Sequence, residues 1–376
     1  MKARTVCDVL LVVRGLTVGG AQRQVVSQAR GLAARGRRVA ILTWYPDGPL
    51  SDEVADSGIA VHSVDKRGRW DMVRPALRAV VVMRSLRPAV VYGFLPDANL
   101  VALLARHLRP RPRILWGLRA SMVDDLGGGR LARAVFGATV RLQFLADGLV
   151  ANSAAAAGFH RARGFASDRI QVVPNGFDLD RFRPDPMARM ARRAEWQVGP
   201  DDVVIGTVGR LHPMKDHRTF FLAAKHYRND HRQAWFVVVG DGPAGIRREL
   251  EAFSSELGLG DSVRWLGERR SLATVYPGFD LLAVSSSHGE GFPNVIGEAM
   301  ASGIPCVVTA VGDSAEIVAD TGLVVLPGDP ESMARAWAKV LERPRPSPRS
   351  RIAACYSLDR CLDQLEPILG FDRGSA

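Results

Sequence analysis

Short apolar runs alternate along this chain with longer segments whose apolar positions recur every three or four residues. Val9-Leu10-Leu11-Val12-Val13, Val203-Val204-Ile205 and Val237-Val238-Val239 are runs of the first kind. Such a run predicts a strand buried on both faces, and the second pattern predicts an amphipathic helix. The alternation places strands near 7–13, 38–43, 59–62, 89–92, 113–117, 147–151 and 170–173, with helices near 20–35, 72–86, 98–108, 130–144 and 153–162 between them. The rhythm then breaks. Residues 174–186 are crowded with Pro, Asn, Gly and Asp and predict a linker. A second series follows, with strands near 203–208, 235–239, 262–265, 280–284, 305–308 and 323–326 and helices near 216–228, 244–257, 294–302 and 331–342. The fold class is therefore α/β, with parallel sheets and crossover helices in two halves of similar size. Paired halves joined by a linker favour a ligand cleft between them. Arg343 to Arg349 carries too many prolines for a helix interior. Beyond it, Leu358, Leu362 and Leu365 share one face of a last helix that needs an apolar partner.

Composition narrows the picture. At 376 residues the chain exceeds one ordinary core, and 47% hydrophobic with 24% charged residues is a globular balance. No apolar run is long enough to span a bilayer. Lys2 to Val13 is interrupted by Asp8 and lacks a small-residue cleavage site, so it predicts a first strand rather than a signal peptide. Cys7, Cys306, Cys355 and Cys361 show neither metal spacing nor disulfide density, and the expectation is buried packing in a reducing cytoplasm. The net charge of +11 is uneven: residues 1–178 hold 26 Lys+Arg against 13 Asp+Glu, and the remainder 24 against 26. An acidic partner of the first half is one reading, whether a membrane surface, nucleic acid or a phosphorylated substrate; a solvated Arg-rich surface is the other. Nucleic acid is disfavoured, because the basic half has no interleaved aromatics.

The candidate chemistry lies at strand ends. Ser285 to Gly303 starts as a Ser/Gly loop after an apolar run and turns helical near Asn294, with Pro293 suited to the first turn. Backbone N–H groups at a helix start favour an anion, and Glu290 and Glu298 add carboxylates suited to hydroxyls. Arg210 and Lys215 sit in the loop after the second half's first strand, where two cations suit a diphosphate. Gly240-Asp241-Gly242-Pro243 ends the next strand and should lie beside Arg210. Gly15 to Gln24, with Gly19 and Gly20, opens the first helix without matching a dinucleotide fingerprint or a P-loop. Trp116-Gly117-Leu118-Arg119-Ala120-Ser121 ends a strand of the basic half; Arg119 either holds an acceptor's phosphate or carboxylate, or pairs internally. His212 and His217 fit packing or surface roles. Asp178-Leu179-Asp180 has the spacing of a metal clamp but lies in the linker and is discounted. No nucleophile elbow is present.

Together these blocks resemble the retaining nucleotide-sugar glycosyltransferases of the GT-B fold, family 4. Glu290-Gly291-Phe292-Pro293-Asn294-Val295-Ile296-Gly297-Glu298 is similar to the family's Glu-x7-Glu signature. Val173 to Asp178, Gly206 to Leu211 with Lys215, Val239 to Pro243 and Gly19 to Arg23 resemble further blocks in family order. The likeness implies two Rossmann-like domains facing each other across a cleft: an acceptor-binding domain over 1–178, a donor-binding domain over 179–355, and a final helix over 356–376 that crosses back to the first. It implies Arg210 and Lys215 on the donor diphosphate, Glu298 on the ribose and Glu290 toward the donor sugar. Gly291, Phe292, Pro293, Asn294 and Val295 would touch sugar and phosphate. Leu266 and Gly267 would read the nucleobase, and Gly19 and Gly20 would close on the diphosphate.

Many relatives carry a His after the fourth strand of the first domain. Here Val90 to Asn99 has none, and Asp97 is the nearest polar candidate for a positioning role, with helix N-capping as its plain alternative. The implied activity is retaining sugar transfer without metal or cofactor. The donor would be a sugar nucleotide, chiefly a UDP-sugar. The acceptor would be a polyprenyl-diphosphate-linked or other saccharide in surface polysaccharide synthesis, such as lipopolysaccharide or exopolysaccharide. The basic half would face an anionic membrane from the cytoplasmic side, with Arg130 to Arg141 as a segment that either lies on it or packs as an ordinary helix. A sugar-nucleotide 2-epimerase, a phosphorylase or a non-catalytic sugar-nucleotide-binding subunit are the alternatives.

Overall fold

Each predicted strand is present in the computed structural model, which describes residues 7–46, 48–68, 71–119, 129–230, 233–343 and 345–371. Lys2, Ala120, Ser121, Pro344 and 372–376 lie outside the described residues. The first sheet holds β1 (Val9–Val12), β2 (Val39–Thr43), β3 (Ala60–Ser63), β4 (Val90–Phe94), β5 (Arg113–Leu118), β6 (Gly148–Ala151) and β7 (Ile170–Val172), in the order β3-β2-β1-β4-β5-β6-β7. The second holds β8 (Val203–Val208), β9 (Ala234–Val239), β10 (Val263–Gly267), β11 (Leu281–Val284), β12 (Cys306–Thr309) and β13 (Leu323–Val325), in the order β10-β9-β8-β11-β12-β13. Both sheets are parallel throughout. In each, the chain winds outward from the first strand in one direction, then returns to its other side. The turning points are β1–β4 and β8–β11.

The apolar runs explain the layers. Side chains alternate across a strand, so a continuous run feeds two cores at once. In the first sheet Leu10, Val12, Leu42, Val91 and Trp116 enter one core, while Val9, Leu11, Ile41, Tyr92 and Leu115 enter the other. In the second, Val204, Val237, Leu282 and Val308 face one way and Ile205, Val238, Leu281 and Val307 the other. Each such fully buried side chain contributes roughly 1.5–3 kcal/mol relative to exposure.

The chain divides into two units, one holding residues up to Gly176 and again from Leu358, the other holding Phe177–Ser357. In the first unit the helix Leu358–Leu369 buries Cys361, Leu362, Leu365 and Leu369. It lies against the helix Gly20–Ala34 at Gly31, where a Cβ would stand 2.6 Å from Leu362 Cδ1. Arg35 pairs with Asp363 (3.0 Å) and Glu366 (2.8 Å) on it.

Several local readings change. The helix Pro186–Trp196 begins where the linker was expected to end; Asp185 caps it by accepting the Ala188 N–H (2.9 Å), and Pro186 occupies its first turn. Its Arg-rich sequence hides it, but Trp196 is buried against Phe279, and Arg193 is buried with Asp280. A second unpredicted helix, Pro348–Cys355, starts on a proline that is tolerated at its first position. Cys355 is exposed, against the expectation of burial, because it closes that helix rather than entering a core. Asp178 accepts the N–H groups of Asp180 and Arg181 (3.0 Å each), a turn role that accounts for the Asp-x-Asp spacing.

Candidate functional site

Ligands of open parallel sheets bind beyond the strand C-termini where the winding reverses. In the second unit that point lies between β8 and β11, so the loops that leave these two strands are neighbours. The loop after β8 carries Arg210 and Lys215. It makes a short turn over Pro213–Lys215, opened by His212, whose Nδ1 accepts the Met214 N–H (3.2 Å). Asp216 follows with φ +46°, a conformation Asp tolerates, and caps the helix His217–Asp230 by accepting from Thr219 N–H (3.2 Å) and its hydroxyl (2.6 Å).

The two loops are stitched together. The Ser285 hydroxyl donates to the Lys215 carbonyl (2.9 Å), and the Ser287 N–H donates to the Met214 carbonyl (2.9 Å). Lys215 and Glu290 thereby meet in an ion pair, with Oε1 of Glu290 also accepting the Ser286 hydroxyl (2.6 Å). Ser286 is itself held by Thr309, which donates to its carbonyl (2.6 Å). Burial alone would raise the Glu290 carboxyl. The Lys215 charge and hydrogen bond, the Ser286 hydroxyl and the Arg210 charge outweigh it and hold that carboxyl below its ordinary value. Arg210 is exposed, a cation turned to solvent whose charge acts on the buried Glu290 paired with the half-buried Lys215.

Close backbone approaches fix this edge. A Cβ on Gly240 (φ +133°) would stand 1.9 Å from the Gly209 carbonyl, so the turn after β9 lies against the Arg210 loop as expected. Leu211 N–H donates to the Asp241 carbonyl there (2.9 Å). A Cβ on Gly312 (φ +58°) would stand 2.4 Å from the Glu290 carbonyl. These two positions admit no larger residue without moving the loops.

The helix Asn294–Ala301 begins directly after Pro293, which occupies the N-cap position rather than the first turn. Glu298 is buried inside the unit, and the Tyr276 hydroxyl donates to its Oε2 (2.8 Å). Phe292 is buried between Phe177 (centroids 6.1 Å, stacked) and Tyr356 (5.6 Å, edge-on). Gly297 lets the Phe177 ring lie directly on the helix, since a Cβ there would meet it at 2.1 Å. Gly291 is pinned through its carbonyl by Asp313 N–H (2.9 Å), and Val295 packs on the core formed around Phe292. Leu266 and Gly267 end β10, and the Gly267 carbonyl accepts the Gly240 N–H (2.9 Å).

The first unit offers a different edge. Gly19 precedes the helix Gly20–Ala34 in extended backbone, a conformation open to any residue. After β4, Leu95 takes φ +75° and ψ 161°, a combination strained for a side chain with Cβ and costing about 1–3 kcal/mol. Asp97 does not cap the next helix, which starts earlier, at Pro96. Burial pushes its carboxyl up, opposed by the Ala98 N–H and the Arg14 charge. Arg119 is engaged within its own unit: it donates to Asn175 Oδ1 (2.9 Å) and to the Tyr92 hydroxyl (3.2 Å), and stands over the Phe94 ring (4.1 Å).

Residues 18–181 match the model described as Glycosyltransferase Family 4, and residues 202–343 match the one described as Glycosyl transferases group 1. The chain belongs to the family 4 glycosyltransferases. Among relatives of this glycosyltransferase chain, the D-inositol 3-phosphate glycosyltransferase of Nocardia farcinica is 38% identical over 190 residues, 48% of this chain and 42% of that one. The chain thus spans about half the length of the curated relatives it matches. Anabaena Alr3699/HepE, solved with UDP-glucose, superposes with TM-score 0.83 over 96% of this chain and 99% of that one, at 20% identity. That likeness is one of fold, and the fold is GT-B. The lipopolysaccharide outer core galactosyltransferase WaaB shares it at TM-score 0.67, 17% identity, 96% of this chain and 99% of that one.

Sequence reasoning missed Ser286, Tyr276, Thr309 and Gly312. Tyr276 and Thr309 lie far along the chain from the carboxylate loop they support, and no spacing rule joins them to it. Ser286 stood inside the flagged loop with nothing to separate it from Ser285 or Ser287.

Proposed function

We propose that this glycosyltransferase moves a sugar from a sugar nucleotide, chiefly a UDP-sugar, to an acceptor hydroxyl with retention at the anomeric carbon. The observation that carries this is the Lys215–Glu290–Ser286 constellation beside Arg210 at the β8–β11 turning point. Arg210 and Lys215 supply fixed positive charge where a diphosphate leaves, which lowers the barrier without a protein nucleophile. Glu290 orients Lys215 and faces the donor sugar, and Glu298, aligned by Tyr276, holds the ribose. Phe292, Pro293, Asn294 and Val295 present backbone to sugar and phosphate at the helix start, while Leu266 and Gly267 border the base. The acceptor hydroxyl attacks from the face the diphosphate leaves, and a donor phosphate oxygen takes its proton. HepE's bound UDP-glucose supports the choice of nucleotide. Gly19, Gly20 and Asp97 are the first unit's contributions in this reading, while Arg119 is taken up by Asn175 and Tyr92. The acceptor is a lipid-diphosphate-linked saccharide, and the partner surface is an anionic membrane. Among the described residues no helix is long and apolar enough to cross a membrane.

A screen of nucleotide sugars with a polyprenyl-diphosphate saccharide, read by released nucleoside diphosphate, tests the reaction. UDP-sugars should turn over, and product NMR should show the donor's anomeric configuration. Calorimetric binding of UDP with no release from any donor would point instead to a non-catalytic sugar-nucleotide binder. Unchanged UDP affinity in Glu298→Ala would remove the ribose role.

A further inference from the structure

The helix Val73–Leu86 in the first unit is apolar on two opposite faces. Pro75, Ala79, Met83 and Leu86 are buried. Val73, Leu77 and Val81 recur every four residues on the other side and are 75%, 64% and 64% exposed, with Met72 just before them at 65%. A helix docked on a sheet needs one apolar stripe, and the second has nothing to cover it among the described residues. The carboxylates beside the stripe are engaged: Asp65 pairs with Arg78, and Asp71 accepts the Arg67 N–H (3.1 Å).

Arg84 continues the exposed stripe three residues after Val81. With Arg87, His107 and Arg109 it lines a hollow of ≈ 380 Å³ in which, among the described residues, no acidic side chain takes part. A helix C-terminus carries roughly half a negative charge, which three guanidiniums outweigh several-fold. The stripe and the hollow adjoin along one helix.

We propose that this face docks on an anionic lipid bilayer, with Met72, Val73, Leu77 and Val81 entering the interface and Arg84, Arg87 and Arg109 taking lipid phosphates. Charge complementarity selects the occupant. A second copy of the same face would bring arginines together, whereas a bilayer offers phosphates above apolar chains. The inference rests on the membrane partner proposed above and names its surface. It also displaces the segment Arg130 to Arg141, whose Phe136 is buried among Phe159, His160 and Phe165.

The test is co-sedimentation of the full chain with phosphatidylcholine vesicles, with and without phosphatidylglycerol. The wild type should pellet only with the anionic vesicles. Leu77→Glu/Val81→Glu and Arg84→Ala/Arg87→Ala/Arg109→Ala should each lower partitioning about tenfold or more, while Leu131→Glu/Phe144→Glu leaves it unchanged. All changed residues are taken from exposed positions, so thermal unfolding should stay near wild type and certifies the fold. A wild type that never pellets overturns the membrane partner itself. A wild type that pellets, with the Leu77/Val81 and arginine variants pelleting equally, overturns this surface alone, as does loss confined to Leu131→Glu/Phe144→Glu. A dimer in sedimentation velocity that Leu77→Glu/Val81→Glu dissolves, without vesicle binding, assigns the face to self-association and overturns the proposal.

Discussion

Where the second unit's winding reverses, the loops after β8 and β11 hold an exposed arginine, and a lysine and a buried carboxylate tied to each other, with a second buried carboxylate in the helix that follows. Where the first unit's winding reverses, the loops after β1 and β4 hold glycines, a strained leucine, the exposed Arg14 and one half-buried aspartate that feels its charge. The strand order around both points is the same. Topology therefore places a comparable strand-end edge in each unit, and loop sequence decides which side chains stand there. The charge distribution adds a second lesson. The positive excess lies in residues 1–178, yet Arg210 and Lys215, the cations proposed for a diphosphate, lie in the near-neutral half. Net charge reports on surfaces such as Arg84, Arg87 and Arg109, whereas a site depends on a few charges held in fixed relation.

The contrast breaks most sharply at Lys215. Lys215→Ala should lower kcat/KM about 10²–10³-fold, the loss typical of removing one preorganised electrostatic group, and Arg210→Ala should follow closely. Asp97→Asn on the other edge should cost about tenfold or less. Initial rates with the active donor measure all three, and near-wild-type rates in Lys215→Ala would cancel the distinction between the edges. Next in size is a change confined to the first unit. Gly31→Leu fills the space taken by Leu362 and should destabilise by about 1–3 kcal/mol, read by urea unfolding. UDP affinity of that variant, read by calorimetry, should hold if nucleotide binding belongs to the second unit.

Smaller still is Tyr276→Phe, which removes one hydrogen bond to a buried carboxylate. UDP affinity should fall about three- to tenfold, equivalent to about 0.5–1.5 kcal/mol, with the fold retained. The last effect is one of pH. The native Glu290 carboxyl binds its proton more weakly than in the unfolded chain, so its contribution is present above the ordinary value of 4.5 and is lost as pH falls through the lower native one. The stability difference between wild type and Glu290→Gln should shrink on acidification below 4.5. Referring to the variant cancels the acid sensitivity of buried His160 and His217, both pushed down to about 4 by burial. A difference constant into strong acid would deny the depressed carboxyl.

The strands were legible because runs such as Val9–Val12 must be buried on both faces, which leaves one interpretation. Arg210, Lys215 and Glu290 were legible as charged residues in loops after strands, and Glu298 as a carboxylate in the helix predicted to follow. The helix Pro186–Trp196 was hidden because its anchors, Trp196 and Arg193, find their partners near residue 280, beyond any local pattern. Arg119 shows the limit for charged residues. A lone arginine at a strand end has the same local signature whether it awaits a ligand or donates to Asn175 and Tyr92.

The sequence by itself determined the α/β rhythm, the two series of strands and the candidate charges, since each follows from local periodicity or from residues adjacent in the chain. Only the tertiary structure decided that Lys215 pairs with Glu290, that Tyr276 serves Glu298, and that Gly312 and Gly240 are spaces other backbones occupy. Only the structure showed that Val73, Leu77 and Val81 stand in solvent although their periodicity equals that of a core face. Periodicity records that a face is apolar; which neighbour covers it depends on contacts between segments distant in the chain, and those exist only once the sheets have formed.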